Sequence, residues 1–419
     1  MKIAFIVDVF PVLSETFILN QITGLLDLGH EVDIYAYHMR ITPKVHDEVK
    51  EYDLLRHTYA PENYSLRSWP RLKAICLIGA NFHKNPAAIL QSLNSLRYSR
   101  DALRLRLLPV CLKHFKRNSY DIIHCHYGSN GNLGVLLKEL GGIKGKVVTM
   151  FHGYDIRLAL EYGASIYAYL RDRGDCFLCI SKYSRRQLEK FGFDSHKIVD
   201  QPVGIDLDRF PLRWDEENIS LNHEGRIKIL TVARLVKEKG IEYGIRSVHE
   251  LVKGNSNIRV QYSIIGEGIL KEQLKGLVAR LNLVDVVEFF GEMNHAEVSK
   301  QMRGAHIFLL PSVAEVLPVT LMEAQAVGLP VVTTDVGGIS EIVADGRSGF
   351  LVSAQNPIAL AGKLEYLIKH PEIWQEMGRW GRKLVEERYD TKKLNQRLVR
   401  IYGALLTNSN EMLEEIRRY

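Results

Sequence analysis

Two carboxylates, Glu315 and Glu323, stand eight positions apart in the run PSVAEVLPVTLME, around the start of a helix. Pro318 fits a first helical turn, where a backbone amide would lack a partner. Gly328 and Pro330 stop that helix, and VVTT reads as the buried strand that follows. Glu315 is therefore expected in the loop ahead of the helix, and Glu323 about two turns along it. Ionised carboxylates accept hydrogen bonds and donate none, so two of them facing one crevice suit a ligand rich in hydroxyl groups. A lone glutamate is ordinarily a solvated helix acid. What surrounds this pair decides between the two readings.

The full run, Pro-Ser, Glu-x7-Glu, Gly-x-Pro-Val-Val and then Gly-Gly-x-x-Glu ending at Glu341, resembles the retaining nucleotide-sugar glycosyltransferases of the GT-B fold, family 4 (glycosyltransferase group 1). The resemblance implies that Glu315 meets the donor sugar ring, with Val316 and Leu317 beside it. It implies that Glu323 accepts hydrogen bonds from the ribose hydroxyls. In VARLVKEKG, Arg234 and Lys239 match the family's cations for the donor diphosphate. Such cations would also stabilise the charge that develops on the departing nucleotide. Gly266 and Gly268, in GEG after a strand, match the family's G-x-G segment, and the resemblance implies a place beside the nucleobase, where a missing Cβ leaves room for a flat ring. Gly337 and Gly338 would offer amides to phosphate or sugar; by themselves both glycine pairs are common turns. The donor is a substrate, and no separate cofactor is expected.

Acceptor-side candidates lie in the first half. HGYD places His152, Gly153 and Asp155 at a strand's carboxyl end, and the resemblance implies that His152 works near the reacting sugar. In IIHCHYG, His126 reads as cleft-lining and His124 as structural. Many family members carry a glycine-rich loop after the opening strand. Here the loop is FPVLSETFI, with Ser14 as a helix cap followed by Glu15 and Thr16, a variant similar to exopolysaccharide and colanic-acid-type enzymes. The spacing of Gly128, Gly131 and Gly134 is not the dinucleotide fingerprint. Asp206-Leu207-Asp208 imitates a metal-binding D-x-D but sits in a linker, so no metal site is expected.

The elements that position these residues alternate strand and helix throughout, as in α/β doubly wound sheets. At 419 residues the chain exceeds a single core. We expect a Rossmann-like acceptor domain at 1–203, a Rossmann-like donor domain at 204–388 facing it across a central cleft, and a helix at 389–419 returning toward the first domain. Hydrophobic residues make up 46% and charged residues 25%, as in a globular enzyme. No apolar run is long enough to span a bilayer. Five cysteines fit a reducing cytosol, and Cys176 with Cys179 cannot alone supply a four-ligand zinc site.

Net charge is only +6, yet the stretch from Arg67 to Arg117 holds eleven Lys or Arg against Asp101 alone. Interleaved apolar residues make 67–118 an expected basic helical insert suited to an anionic membrane surface; a solvated helical face is the alternative. Nucleic acid is disfavoured, since no recognition module accompanies the charge. The expected acceptor is a lipid-linked oligosaccharide at the inner membrane face. Two rivals are a nucleotide-sugar 2-epimerase of the same fold and a non-catalytic nucleotide-sugar-binding protein. The latter could dispense with Arg234 and Lys239, and both are present. If the basic segment contacts membrane, the protein binds anionic vesicles at low salt and is released as salt rises. Salt-independent binding, or none, would count against that contact.

Overall fold

The computed structural model describes residues 1–12, 15–39, 46–60, 119–139, 143–215, 225–254 and 258–418. The basic segment 67–118 and Ser14 lie outside the described residues. The chain divides into two compact units. Unit 1 comprises Met1–Ile180, Ser184–Gln201 and Asn395–Tyr419, and unit 2 comprises Ser181–Tyr183 and Pro202–Leu394. The division thus falls after Gln201, and the tail counts with unit 1 from Asn395 onward.

Unit 1 is built on seven parallel strands: β1 (Lys2–Phe10), β2 (Glu31–Met39), β3 (Thr58–Tyr59), β4 (Ser119–His126), β5 (Lys144–Phe151), β6 (Cys176–Cys179) and β7 (Ile198–Asp200). Their order is β3-β2-β1-β4-β5-β6-β7. Unit 2 holds β8 (Ile227–Val232), β9 (Val260–Ile265), β10 (Val287–Gly291), β11 (Ile307–Leu310), β12 (Val331–Thr334) and β13 (Gly349–Val352), in the order β10-β9-β8-β11-β12-β13. Consecutive residues of β1, Ile3 to Val7, are all buried, as are Ile307 to Leu310 of β11. Parallel sheets covered by helices on both faces require such unbroken apolar runs. In each sheet the chain reverses direction beside its first strand, between β1 and β4 and between β8 and β11. Ligands of doubly wound sheets gather outside the carboxyl ends at that reversal.

In unit 1 the helix Gly128–Glu139 packs its glycine face on the sheet: a Cβ at Gly131 would strike Thr149 and Leu170, and one at Gly134 would strike Cys125. The spacing noted in the sequence therefore serves close helix-to-sheet approach. The terminal helix Thr391–Leu406 buries Leu398, Ile401 and Tyr402. In that helix Asn395 Nδ2 donates to the Asn20 carbonyl at 2.9 Å. A second helix, Asn410–Arg418, follows it.

In unit 2 the loops beyond β8, β9, β11 and β12 dock main chain to main chain. Gly266 packs against the Ala233 carbonyl and Gly268 against that of Leu235. Gly240, at φ +59°, packs on the Pro311 carbonyl, and Gly337, at φ +61°, on that of Glu315. Val313 N donates to the Glu238 carbonyl at 2.8 Å, and Leu235 N to that of Glu267 at 2.9 Å. At Gly337 an alanine would meet both a backbone clash and a left-handed φ. Gly337→Ala should therefore destabilise the protein by about 3 kcal/mol and depress activity with it. A Tm within 2 °C of wild type would contradict this docking.

Candidate active site

The unit 2 cluster assembles at the β8–β11 reversal. Arg234 and Lys239 lie on the loop beyond β8, and Glu315 lies on the loop beyond β11. Arg234 is exposed. Lys239 Nζ forms an ion pair with Glu315 Oε1, both side chains being largely buried. Ser312 Oγ donates to the same carboxylate oxygen at 2.9 Å. The buried Ser312 is a member of this cluster that residue spacing did not single out, although it stands inside the quoted run.

The helix carrying Glu323 spans Val319–Val327, with Pro318 as its N-cap in extended conformation and Gly328 as a left-handed C-cap. Pro318 thus stands one position ahead of the first turn, where it was expected. Glu323 lies about one turn along the helix rather than two, because the helix begins only at Val319. It is 5% exposed, and no group among the described residues donates to its carboxylate. Burial pushes it up to about 7 from the ordinary 4.5. An ionisable group buried without a partner is costly, and a ligand supplying hydroxyl donors would relieve that cost.

Three donor-side groups have packing roles as well. The side chains of Val316 and Leu317 are buried, which leaves their main-chain groups to meet a ligand. Gly266 and Gly268 closely approach Ala233 and Leu235, the residues flanking Arg234, and so also position the cation loop. Gly337 and Gly338 likewise abut the carbonyls of Glu315 and Val316. Outside the cluster, the Asp206-Leu207-Asp208 linker is already occupied. Asp206 accepts from Asp208 N at 3.1 Å and from Arg209 Nε at 3.0 Å, and Asp208 pairs with Lys392 at 2.7 Å. Among the described residues no group of three or more His, Cys, Asp or Glu side chains could hold a metal ion.

In unit 1, His152 follows β5 and caps the helix Gly153–Tyr162. Its Nε2 lies 3.0 Å from Nδ1 of His126, one ring donating to the other. Phe17 packs on His152 at 4.7 Å and Tyr127 at 4.9 Å between ring centroids. Burial lowers His152 to about 3, so the imidazole is neutral. His126 is fully buried, which corrects the cleft-lining assignment. His124, two positions earlier on the same strand face, is fully buried as well. His124 lies 2.6 Å from the Tyr402 hydroxyl.

Asp155 is also interior. Its carboxylate accepts from Gly128 N at 2.7 Å and His152 N at 2.8 Å, and burial raises it to about 7. That makes it a joint between β4, β5 and their helices, not a group offered to an acceptor. Thr16 is the buried first residue of the helix Thr16–Asp27, and Glu15, not Ser14, holds the N-cap position. The Glu15 carboxylate does not cap the helix; it accepts from the Tyr127 hydroxyl at 2.7 Å. Burial raises the pKa of Glu15 and of Asp8, at the end of β1. Tyr127, at φ +74°, occupies the left-handed region that few bulky residues adopt. Its order between His126 and the glycine helix carried no signal for that conformation.

Two helix-flanked parallel sheets, with a cation–carboxylate cluster at the reversal of the second, define a protein of the GT-B class. Residues 14–209 match Glycosyltransferase Family 4, and residues 213–384 match Glycosyl transferases group 1. WcaL of Escherichia coli (strain K12), named for colanic acid biosynthesis, is 33% identical over 97% of this chain and 100% of its own. The amylovoran biosynthesis glycosyltransferase AmsK of Erwinia amylovora is 33% identical over 87% of this chain and 90% of its own. Anabaena HepE in complex with UDP-glucose superposes with a TM-score of 0.72 at 16% identity, over 96% of this chain and 100% of that one. The chain belongs to the group 1, family 4 glycosyltransferases.

The raised pKa of Glu323 has a consequence for stability. The folded protein holds this proton more tightly than the unfolded chain does. Its contribution is therefore fully present below pH 4.5 and is lost as pH rises through about 7. Glu323→Gln cannot ionise, so in the ligand-free protein it should raise Tm at pH 8 and make little difference near pH 4.5. A Tm difference that does not change with pH would show that this carboxyl does not titrate as described.

Proposed function

We propose that this glycosyltransferase moves a hexose from a nucleotide diphosphate sugar to a hydroxyl of a lipid-linked oligosaccharide, with retention at the anomeric carbon, during synthesis of an exopolysaccharide. The observation that carries the donor reading is Glu323, a buried carboxylate lacking a protein donor, on the helix whose leading loop presents the Lys239–Glu315 pair. Ribose hydroxyls supply the missing donors to Glu323. Lys239 and Arg234 take the diphosphate, the first as a point charge and the second as a two-pronged donor. Glu315 accepts from a sugar hydroxyl.

When the bond between the anomeric carbon and the diphosphate oxygen breaks, negative charge grows on the departing nucleotide. Fixed cations stabilise that charge most effectively where water is scarce. Departure and attack on one face of the sugar need no protein nucleophile. His152, held neutral by burial, positions the sugar and transfers no proton in the reaction. The relatives named for colanic acid and amylovoran biosynthesis support a polysaccharide product. Among the described residues no helix is long and apolar enough to cross a membrane. The basic segment 67–118 supports a peripheral place at the inner membrane face, where a lipid-linked acceptor is reached.

Transfer assays with a lipid-extracted acceptor and UDP-, GDP- and ADP-sugars test this reading. Lys239→Ala should lose at least about 100-fold in turnover, and EDTA should leave the wild type unchanged. The product's anomeric coupling by NMR should match that of the donor. Near-wild-type turnover of Lys239→Ala, metal-rescued loss in EDTA, or an inverted product would each refute the corresponding step.

A further inference from the structure

Lys239 and Glu315 are each the other's partner before any donor arrives, and only 17% and 9% of their side chains are exposed. Ser312 gives Glu315 a second donor at 2.9 Å. Ser312 is itself fixed: it is fully buried, and Thr334 Oγ1 donates to its carbonyl at 2.6 Å. The cation best placed for a diphosphate is thus neutralised by the acceptor best placed for a sugar hydroxyl. Arg234, exposed and outside this pair, remains open to phosphate.

A diphosphate that draws Lys239 away strands a carboxylate with little access to water. Removing one partner of a buried pair is costly because the other charge stays uncompensated. A complete donor avoids this outcome, since it brings the anion for Lys239 and a hydroxyl for Glu315 together. A bare nucleoside diphosphate brings only the first.

We propose that the Lys239–Glu315 pair, positioned by Ser312, is a selectivity device that disfavours the bare nucleoside diphosphate against its sugar conjugate. This inference rests on the donor reading above. It makes the spent nucleotide a poorer occupant than the fresh donor by the same contacts that recognise the sugar, and so favours product release.

The test is calorimetric binding of UDP, GDP and ADP, each with and without its glucose conjugate, to the full-length wild type and three variants. Glu315→Gln keeps the shape and removes the charge. It should bind the bare diphosphate at least about fivefold more tightly and gain far less for the conjugate. Ser312→Ala should shift the ratio the opposite way, because the stranded carboxylate then keeps no donor. In the Lys239→Ala background, Glu315→Gln should bring no gain. Bare diphosphate binding that is unchanged or weaker in Glu315→Gln overturns the device, as does an equal effect of Ser312→Ala on both ligands. A wild type that binds none of the diphosphates overturns the donor reading itself.

Discussion

In unit 2 the loops beyond four neighbouring strands approach so closely that main chain meets main chain, and the rest of the site depends on that contact. Gly240, Gly266, Gly268 and Gly337 each face a carbonyl of another loop at a distance that admits no Cβ. Three of them, Gly240, Gly266 and Gly337, also have a positive φ. The loops are thereby fixed by backbone contacts, which tolerate little drift. Arg234 and Lys239 are carried by one loop and Glu315 by another, so the register of charge against charge is set before any side chain is considered.

Within that frame the two glutamates are treated differently. Glu315 is buried with a cation and a hydroxyl to satisfy it. Glu323 is buried with neither, and burial alone drives its pKa toward neutrality. A folded chain under no demand but stability would place an apolar residue on that helix face. The unsatisfied carboxylate marks a place where stability yields to binding. In unit 1, His152 is tied to His126, and the Asp155 carboxylate is held by the amides of Gly128 and His152, while Nε2 of His126 is buried without a partner. One imidazole is held in a fixed, neutral state.

Strand-and-helix alternation was readable because parallel strands buried on both faces are short apolar blocks, and their helices begin and end at cap and glycine signals. The Glu-x7-Glu run was readable for a related reason: a loop, a helix start and a following strand confine both acids within one local segment. Boundaries slipped where a single position decides. The helix Val319–Val327 starts after Pro318, so Glu323 lies a turn nearer its start than the spacing suggested.

What one sequence determined by itself was therefore local: element type and order, the acids and cations in their loops, and the family to which those motifs belong. The tertiary structure decided which polar residues are committed elsewhere. His126 and Asp155 read as site residues on polarity, yet the fold turns both inward, where His126 bonds to His152 and the Asp155 carboxylate is taken by backbone amides. Gly266 and Gly268 read as ligand contacts, and only the structure shows that each also packs against a carbonyl of a neighbouring loop. Lys239 and Glu315 stand 76 residues apart in the chain, and only strand order β8-β11 brings their loops together. Such pairings follow from packing across the sheet, which spacing along the chain does not encode.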